Sequence, residues 1–113
     1  MTDYLLLMRN QGNPMEGLSP DQFQKQMAEW GAWMGGLAKA GRLRDGKPLG
    51  AGARCVRASI VTDGPYAEAK DVVGGYVIVG CDSMDHAVET ARGCPTVALG
   101  GLIEVREISP AAV

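Results

Sequence analysis

The sequence predicts an α+β domain of ferredoxin-like βαββαβ order, an antiparallel four-stranded sheet with two helices on one face. Three observations support this fold class. Short apolar runs between turn residues indicate strands, two capped segments with helical spacing indicate helices, and these elements follow one another in the ferredoxin-like order. With 113 residues, 46% of them hydrophobic, the chain can bury one core, so residues 1–113 are predicted to form a single domain.

The first helix has the strongest local signal. Ser19 suits an N-cap, Pro20 suits the first helical position, and Gln22 completes a capping box, so we expect a helix over Pro20–Ala40. Trp33 lies off its apolar stripe and is expected at a pocket mouth or a subunit seam. The stripe itself is predicted to face the core, and its members are Phe23, Met27, Trp30, Met34 and Leu37.

The other elements follow from shorter patterns. The glycine-rich segment Arg42–Ala53 indicates a surface loop. A second helix is expected over Met84–Arg92, capped by Asp82 or Ser83 and ended by Pro95, with a buried stripe of Met84, Ala87, Val88 and Ala91. Strands are predicted over Tyr4–Met8, Arg54–Thr62, Gly75–Gly80 and Leu102–Ile108.

Composition narrows the class of protein. The net charge of −2, with acidic and basic residues interspersed, favours neither nucleic acid nor an anionic membrane as a partner. The sequence shows no signal peptide and no apolar run long enough to cross a bilayer, so we expect a cytoplasmic protein. Three cysteines without CxxC spacing indicate reduced, buried thiols, and one histidine without partners at ligand spacing predicts no metal site and no cofactor.

The strand pattern predicts a homodimer. Two helices cover one face of a four-stranded sheet, yet the strands at Tyr4–Met8 and Tyr76–Val79 are apolar on both faces. An antiparallel sheet with one face in water would alternate with polar residues. A second copy of the chain packed sheet to sheet would bury the remaining face.

The most informative segment is a charged loop over residues 63–76, between two predicted strands. Asp63 stands where a strand ends, and two interpretations are open: a base or ligand-orienting acceptor, or a turn residue whose carboxylate accepts backbone N–H groups. Glu68, Lys70 and Asp71 could form a solvated ion-pair surface or close over a cleft.

A second set of candidate residues lies on the last strand. Glu104 and Arg106 share one face of it, and Arg57 could join them, depending on register. Such a pair in an apolar cleft suits an anionic or polar small molecule, and an inter-subunit salt bridge explains the pattern equally well.

The central segment resembles the motif of the DGPF family of YCII-related proteins. It has the sequence Asp-Gly-Pro-Tyr-Ala-Glu-Ala-Lys-Asp over residues 63–71, followed by a Gly-Gly-Tyr strand. The resemblance extends over nearly the whole chain, through the tryptophan of the first helix, the Ser-Met-Asp-His-Ala segment and Cys94-Pro95. It implies a dimeric α+β barrel of ferredoxin-like protomers.

The same resemblance implies two functional themes. Some members are linked to extracytoplasmic-function sigma factors, and enzymatic YCII relatives use a His and an Asp in hydrolytic chemistry on small aromatic substrates. Asp63 matches the Asp. The family's catalytic His would fall in the first helix, which has none, and His86 is expected to be an exposed residue of the second helix, so that mechanism does not transfer. Tyr66, Asp71 and Glu107 depart mildly from the family's usual Phe, Glu and Pro.

Two hypotheses follow. In the first, the protein binds a small polar or aromatic metabolite, with possible weak hydrolase- or isomerase-like activity. Asp63 is then the catalytic candidate, and the ligand-binding candidates are Arg57, Tyr66, Glu68, Lys70, Glu104 and Arg106. In the second, the charged loop docks a protein partner of the sigma-factor type and no reaction occurs.

Overall fold

A computed structural model describes residues 1–12, 15–67 and 71–110. Six strands and three helices occur in this part of the chain. The strands are β1 (Thr2–Asn10), β2 (Leu43–Pro48), β3 (Arg54–Val56), β4 (Val61–Asp63), β5 (Val72–Cys81) and β6 (Leu102–Glu107). The helices are α1 (Pro20–Lys39), α2 (Met84–Arg92) and α3 (Pro95–Ala98).

The main sheet is antiparallel, in the order β2-β5-β1-β6, and β3 and β4 form a separate two-stranded sheet. With the small sheet set aside, this is the ferredoxin-like arrangement, which confirms the predicted fold class. Residues 4, 6 and 8 of β1 are buried with Leu37 of α1 and Ala87 of α2, so the helices pack on that face. Leu6 is completely buried, which is worth about 1.5–3 kcal/mol relative to exposure.

Helix α1 begins and ends as its sequence indicates. The Ser19 hydroxyl accepts from Gln22 N–H at 3.2 Å, and the Gln22 side chain accepts from Ser19 N–H at 2.9 Å, forming the predicted capping box. At the other end Gly41 has φ +69, and Arg42 N–H donates to Leu37 C=O, which closes a Schellman motif. The helix ends at Lys39, one residue before the predicted Ala40, which is the C-cap.

The predicted core stripe of α1 is correct only in its second half. Trp30, Met34 and Leu37 pack on the core, whereas Phe23 and Met27 are exposed. Trp33 also packs there, contrary to its predicted place at a pocket mouth or a subunit seam. Its Nε1 donates to Thr90 C=O at 3.1 Å, and the Trp30 and Trp33 rings meet edge to face at 5.6 Å.

The prediction of a loop over Arg42–Ala53 was wrong for residues 43–48. These residues form β2, the edge strand paired with β5. Its charged residues, Gly46 and Pro48 are typical of turns, but they also suit a sheet edge, where proline and charge prevent further strand pairing.

The predicted strand Arg54–Thr62 was also wrong as a single strand. It folds back on itself as the hairpin β3–β4, in which Arg54 pairs with Asp63 and Val56 with Val61. The turn is closed by Arg57 N–H donating to Ile60 C=O at 2.7 Å. Because Ala58-Ser59 is not one of the glycine-containing pairs typical of two-residue hairpin turns, the reversal has little local signal in the sequence.

The region after β5 agrees better with the sequence. Strand β5 begins at Val72, three residues before the predicted Gly75. Helix α2 has the predicted bounds and is capped by the Ser83 hydroxyl, which accepts from His86 N–H at 3.1 Å. Pro95 was expected to end α2 but starts the short α3 instead, and Met84 is exposed rather than buried.

No helix in the described ranges is both long and apolar enough to cross a membrane.

Candidate functional site

The hairpin β3–β4 encloses one side of a hollow of ≈460 Å³. Cys55 and Thr62 face each other across the two strands, and the Cys55 thiol donates to Gly64 C=O at 3.6 Å. The chain reverses at Gly64 with φ +84, a conformation that favours glycine, and so returns beside the hairpin. The residues lining this hairpin hollow are Cys55, Val56, Arg57, Ile60, Thr62, Tyr66 and Ala67.

The hollow combines apolar walls with a few polar groups. Ile60 and Ala67 supply apolar surface, and Arg57 supplies a cation. Within the described ranges Arg57 forms no ion pair. Apolar walls with few polar anchors are typical of sites for small molecules, and a guanidinium suits a carboxylate or phenolate.

Asp63 does not line the hollow. Its carboxylate lies 3.0 Å from Arg54 Nη1, and the Asp63 side chain is 90% exposed. The Arg54–Asp63 pair points away from the face that carries Cys55 and Thr62, because successive pairs of a hairpin alternate faces. A catalytic role for Asp63 therefore stays a prediction.

A second polar cluster lies on the open face of the main sheet, opposite the helices. Glu104 Oε1 accepts from Arg9 Nε at 2.9 Å and Glu104 Oε2 accepts from Arg106 Nη1 at 3.2 Å. The hydrogen bond from Arg106, followed by that from Arg9, lowers the pKa of Glu104 below its ordinary value. The carboxylate of Glu104 is thus charged and fixed in position by its two donors, while the Arg106 side chain is 67% exposed.

The other edge of this open face carries a third cluster, which the sequence reasoning missed. The Tyr76 hydroxyl donates to Asp45 Oδ2 at 3.0 Å, and Lys47 Nζ lies 3.6 Å from Asp45 Oδ1. Hydrogen bonds from Gly46 N–H and from Tyr76 lower the pKa of Asp45, and the same bond to Asp45 raises the pKa of Tyr76. Recognition of β2 as a strand would have placed Asp45 and Lys47 on this face.

Within one chain the predicted site residues separate into groups. Arg57 and Tyr66 lie at the hairpin, which joins β2 to β5, whereas Glu104 and Arg106 lie on β6 at the opposite edge of the sheet. Glu104 pairs with Arg9 and Arg106. Arg57 follows β3, which is not part of the main sheet, so Arg57 does not join Glu104 and Arg106 within one chain. Glu68 and Lys70 lie outside the described residues.

His86 and the cysteines have structural surroundings. His86 Nδ1 accepts from Asp82 N–H at 3.1 Å at the start of α2, and the residue is half-buried rather than exposed. Cys81 and Cys94 are buried and Cys55 is half-buried, all as free thiols. No group of three potential metal ligands occurs among residues 1–12, 15–67 and 71–110.

Comparisons with known proteins agree with this fold. The sequence model of the YCII-related domain family matches residues 2–112. Among solved structures, 5-chloro-2-hydroxyhydroquinone dehydrochlorinase (TftG) from Burkholderia phenoliruptrix AC1100, in complex with 2,5-dihydroxybenzoquinone, aligns with a TM-score of 0.59. The two chains are 16% identical, and the alignment covers 95% of this chain and 93% of the other. No curated protein matches the sequence.

Proposed function

Because the chain belongs to the YCII-related domain family, we propose that it binds a small aromatic or polar metabolite with an anionic group in the hairpin hollow. The observation that carries the proposal is Arg57, a cation without an ion-pair partner in the described chain, beside apolar walls. The anionic group would pair with Arg57 and the ring would lie against Ile60 and Tyr66. The small hydroxyquinone bound by the structurally similar dehydrochlorinase supports this ligand class.

The test is a binding titration with 2,5-dihydroxybenzoquinone and 2,5-dihydroxybenzoate. A charge-assisted hydrogen bond contributes about 1.5–3 kcal/mol, so Arg57→Ala should weaken binding by roughly ten- to a hundredfold. Arg54→Ala removes the same charge three residues earlier in the hairpin, but Arg54 pairs with Asp63, so that variant should bind like wild type. Equal losses in both variants would indicate a general charge effect and would contradict a site at Arg57.

Weak hydrolase- or isomerase-like activity is the catalytic form of this proposal, with Asp63 as the candidate base. Asp63 directly follows Thr62 of the wall, and as a base its carboxylate would turn from Arg54 toward the bound compound. Asp63→Asn should then abolish turnover of the bound compound, followed by chromatography, while leaving its affinity unchanged. Unchanged turnover would show that Asp63 pairs with Arg54 and takes no part in the reaction.

The alternative is a non-catalytic interaction module. The exposed apolar residues of the hairpin favour it, above all Val56 at 74% exposure. A partner of the sigma-factor type stays a prediction from the family resemblance. It would be supported if a purified extracytoplasmic-function sigma factor bound the wild type and not a Val56→Ser, Val61→Ser variant, with no response to either small molecule.

A further inference from the structure

The open face of the sheet has a self-complementary charge pattern. The register across the four strands places the residues of this face in two neighbouring rows. The first row is Lys47, Tyr76, Leu7 and Glu104. The second row is Asp45, Ile78, Leu5 and Arg106. One row thus begins with a cation and ends with an anion, and the other does the reverse. The centre of each row is a half-buried pair of large side chains, Tyr76–Leu7 in one row and Ile78–Leu5 in the other, on the face opposite the helices.

A two-fold axis along the strands would match these rows in a face-to-face pair. It sets Lys47 of one copy against Glu104 of the other, and Asp45 against Arg106. An axis across the strands would also oppose unlike charges, pairing Lys47 with Asp45. The two arrangements differ in which sheet edges meet, since only the first brings β2 of one copy beside β6 of the other.

Exposed apolar residues favour the axis along the strands. The hairpin leaves the sheet where Leu49 N–H donates to Gly74 C=O, and β6 begins at the same end, where Arg9 pairs with both Leu102 and Val73. Leu102 is 54% exposed there. In this arrangement the hairpin of one copy lies beside Leu102 of the other, and the apolar surfaces of both are covered.

The same arrangement joins the separated site residues. We propose that the ligand site is shared between two copies, with Arg57 and Tyr66 from the hairpin of one and Glu104 from β6 of the other. This inference rests on the proposed function. Arg57 would take the anionic group of the ligand, and Glu104, kept charged by Arg9 and Arg106, would accept from a ring hydroxyl. The ligand class is therefore a hydroxylated aromatic acid or a hydroxyquinone.

The arrangement can be tested without any ligand. Lys47→Glu should weaken self-association in analytical ultracentrifugation, because it opposes Glu104 of the second copy, and Glu104→Lys should do the same. A mixture of the two variants should associate through heterodimers, in which every facing pair is again unlike. Folding of each variant is checked by circular dichroism. Failure of folded variants to form the heterodimer, or a monomeric wild type, would overturn the arrangement whether or not a ligand binds.

The shared site is tested by complementation with 2,5-dihydroxybenzoquinone. Arg57→Ala and Glu104→Gln homodimers should each bind at least tenfold more weakly than wild type. A heterodimer of the two, purified through different tags, should recover wild-type affinity at about half of the wild-type capacity, because one of its two sites is intact. A site within one chain would gain nothing from mixing.

The remaining outcomes are also decisive. If Glu104→Gln binds like wild type while Arg57→Ala does not, the hollow of one chain suffices, which overturns the shared site and leaves the proposed function standing. If wild-type protein that passes the association test binds neither 2,5-dihydroxybenzoquinone nor 2,5-dihydroxybenzoate, the proposed function fails for this ligand class and the shared site fails with it.

Discussion

Individual carboxylates on the open face are held by specific donors. Glu104 bonds to two guanidinium groups although its side chain is 33% exposed, and Asp45 bonds to a backbone amide and a phenol. Water screens exposed ion pairs, so their value for stability is small. These hydrogen bonds fix the direction of each carboxylate and lower its pKa. Stability therefore depends on pH.

The pH dependence of stability follows from Glu104. Its pKa is lowered in the folded chain, so the folded state binds fewer protons than the unfolded state. Its contribution is complete above about pH 4.3, the ordinary value for Glu, and is lost as the pH falls through the folded pKa. The interval from about pH 5 to about pH 3 includes the ordinary pKa of Glu. Over this interval the melting temperature of wild type should fall more than that of Glu104→Gln. Glu89→Gln, on the exposed face of α2, should follow wild type; a Glu104→Gln curve parallel to wild type would contradict this assignment.

Gly101 is required by the packing at the start of β6. A Cβ there would overlap the Asn10 side chain and the Thr96 methyl, and would lie 3.0 Å from Thr96 C=O. Gly101→Ala should therefore destabilise the fold by about 1–3 kcal/mol in urea unfolding. Gly36→Ala on α1 meets nothing within 4 Å and should instead stabilise by about 1 kcal/mol. Equal effects of the two substitutions would show that β6 can shift to make room.

Among the elements, α1 was the easiest to predict because its signals are local. Ser19, Pro20 and Gln22 act through hydrogen bonds within one turn, so no knowledge of the remaining fold is needed. Strand β2 and the hairpin depend on partners distant in sequence. Gly46 and Pro48 indicate a turn until β5 is beside them, and Ala58 and Ser59 indicate nothing until the strands pair.

The capping box of α1 gives a prediction at this scale. Ser19→Ala removes the acceptor for Gln22 N–H and should cost about 1 kcal/mol of unfolding free energy. Ser59→Ala, at the exposed hairpin turn, is the matched control and should change little. The comparison is made by urea unfolding, and an unchanged midpoint for Ser19→Ala would show that water replaces the cap.

For the molecule as a whole, the fold could be predicted from element order, but the candidate site could not be assembled from it. The sequence singled out Arg57, Tyr66, Glu104 and Arg106 by residue type, and the sheet order then places them at opposite edges. Which residues meet across two copies depends on a symmetry axis, and a single sequence has no pattern for that. Cytoplasmic localisation and a single domain over residues 1–113 stay predictions from the sequence.

Association makes stability depend on concentration. If two copies bury the open face, the melting temperature of the wild type should rise with protein concentration, because the dimer is favoured by mass action. Lys47→Glu should reduce this rise. Differential scanning calorimetry over a hundredfold concentration range measures it, and a melting temperature independent of concentration would contradict the homodimer.

The three cysteines differ in accessibility, and the least buried of them lies on the wall of the hairpin hollow. Cys81 and Cys94 are buried, and burial raises the pKa of Cys94, so both should react slowly with a maleimide dye. Cys55 is half-buried on the wall of the hollow. The unmodified protein thus offers one accessible position for a fluorescent label, and its labelling rate should fall whenever a compound occupies the hollow. The chain thereby carries its own reporter for compounds that bind in the hollow.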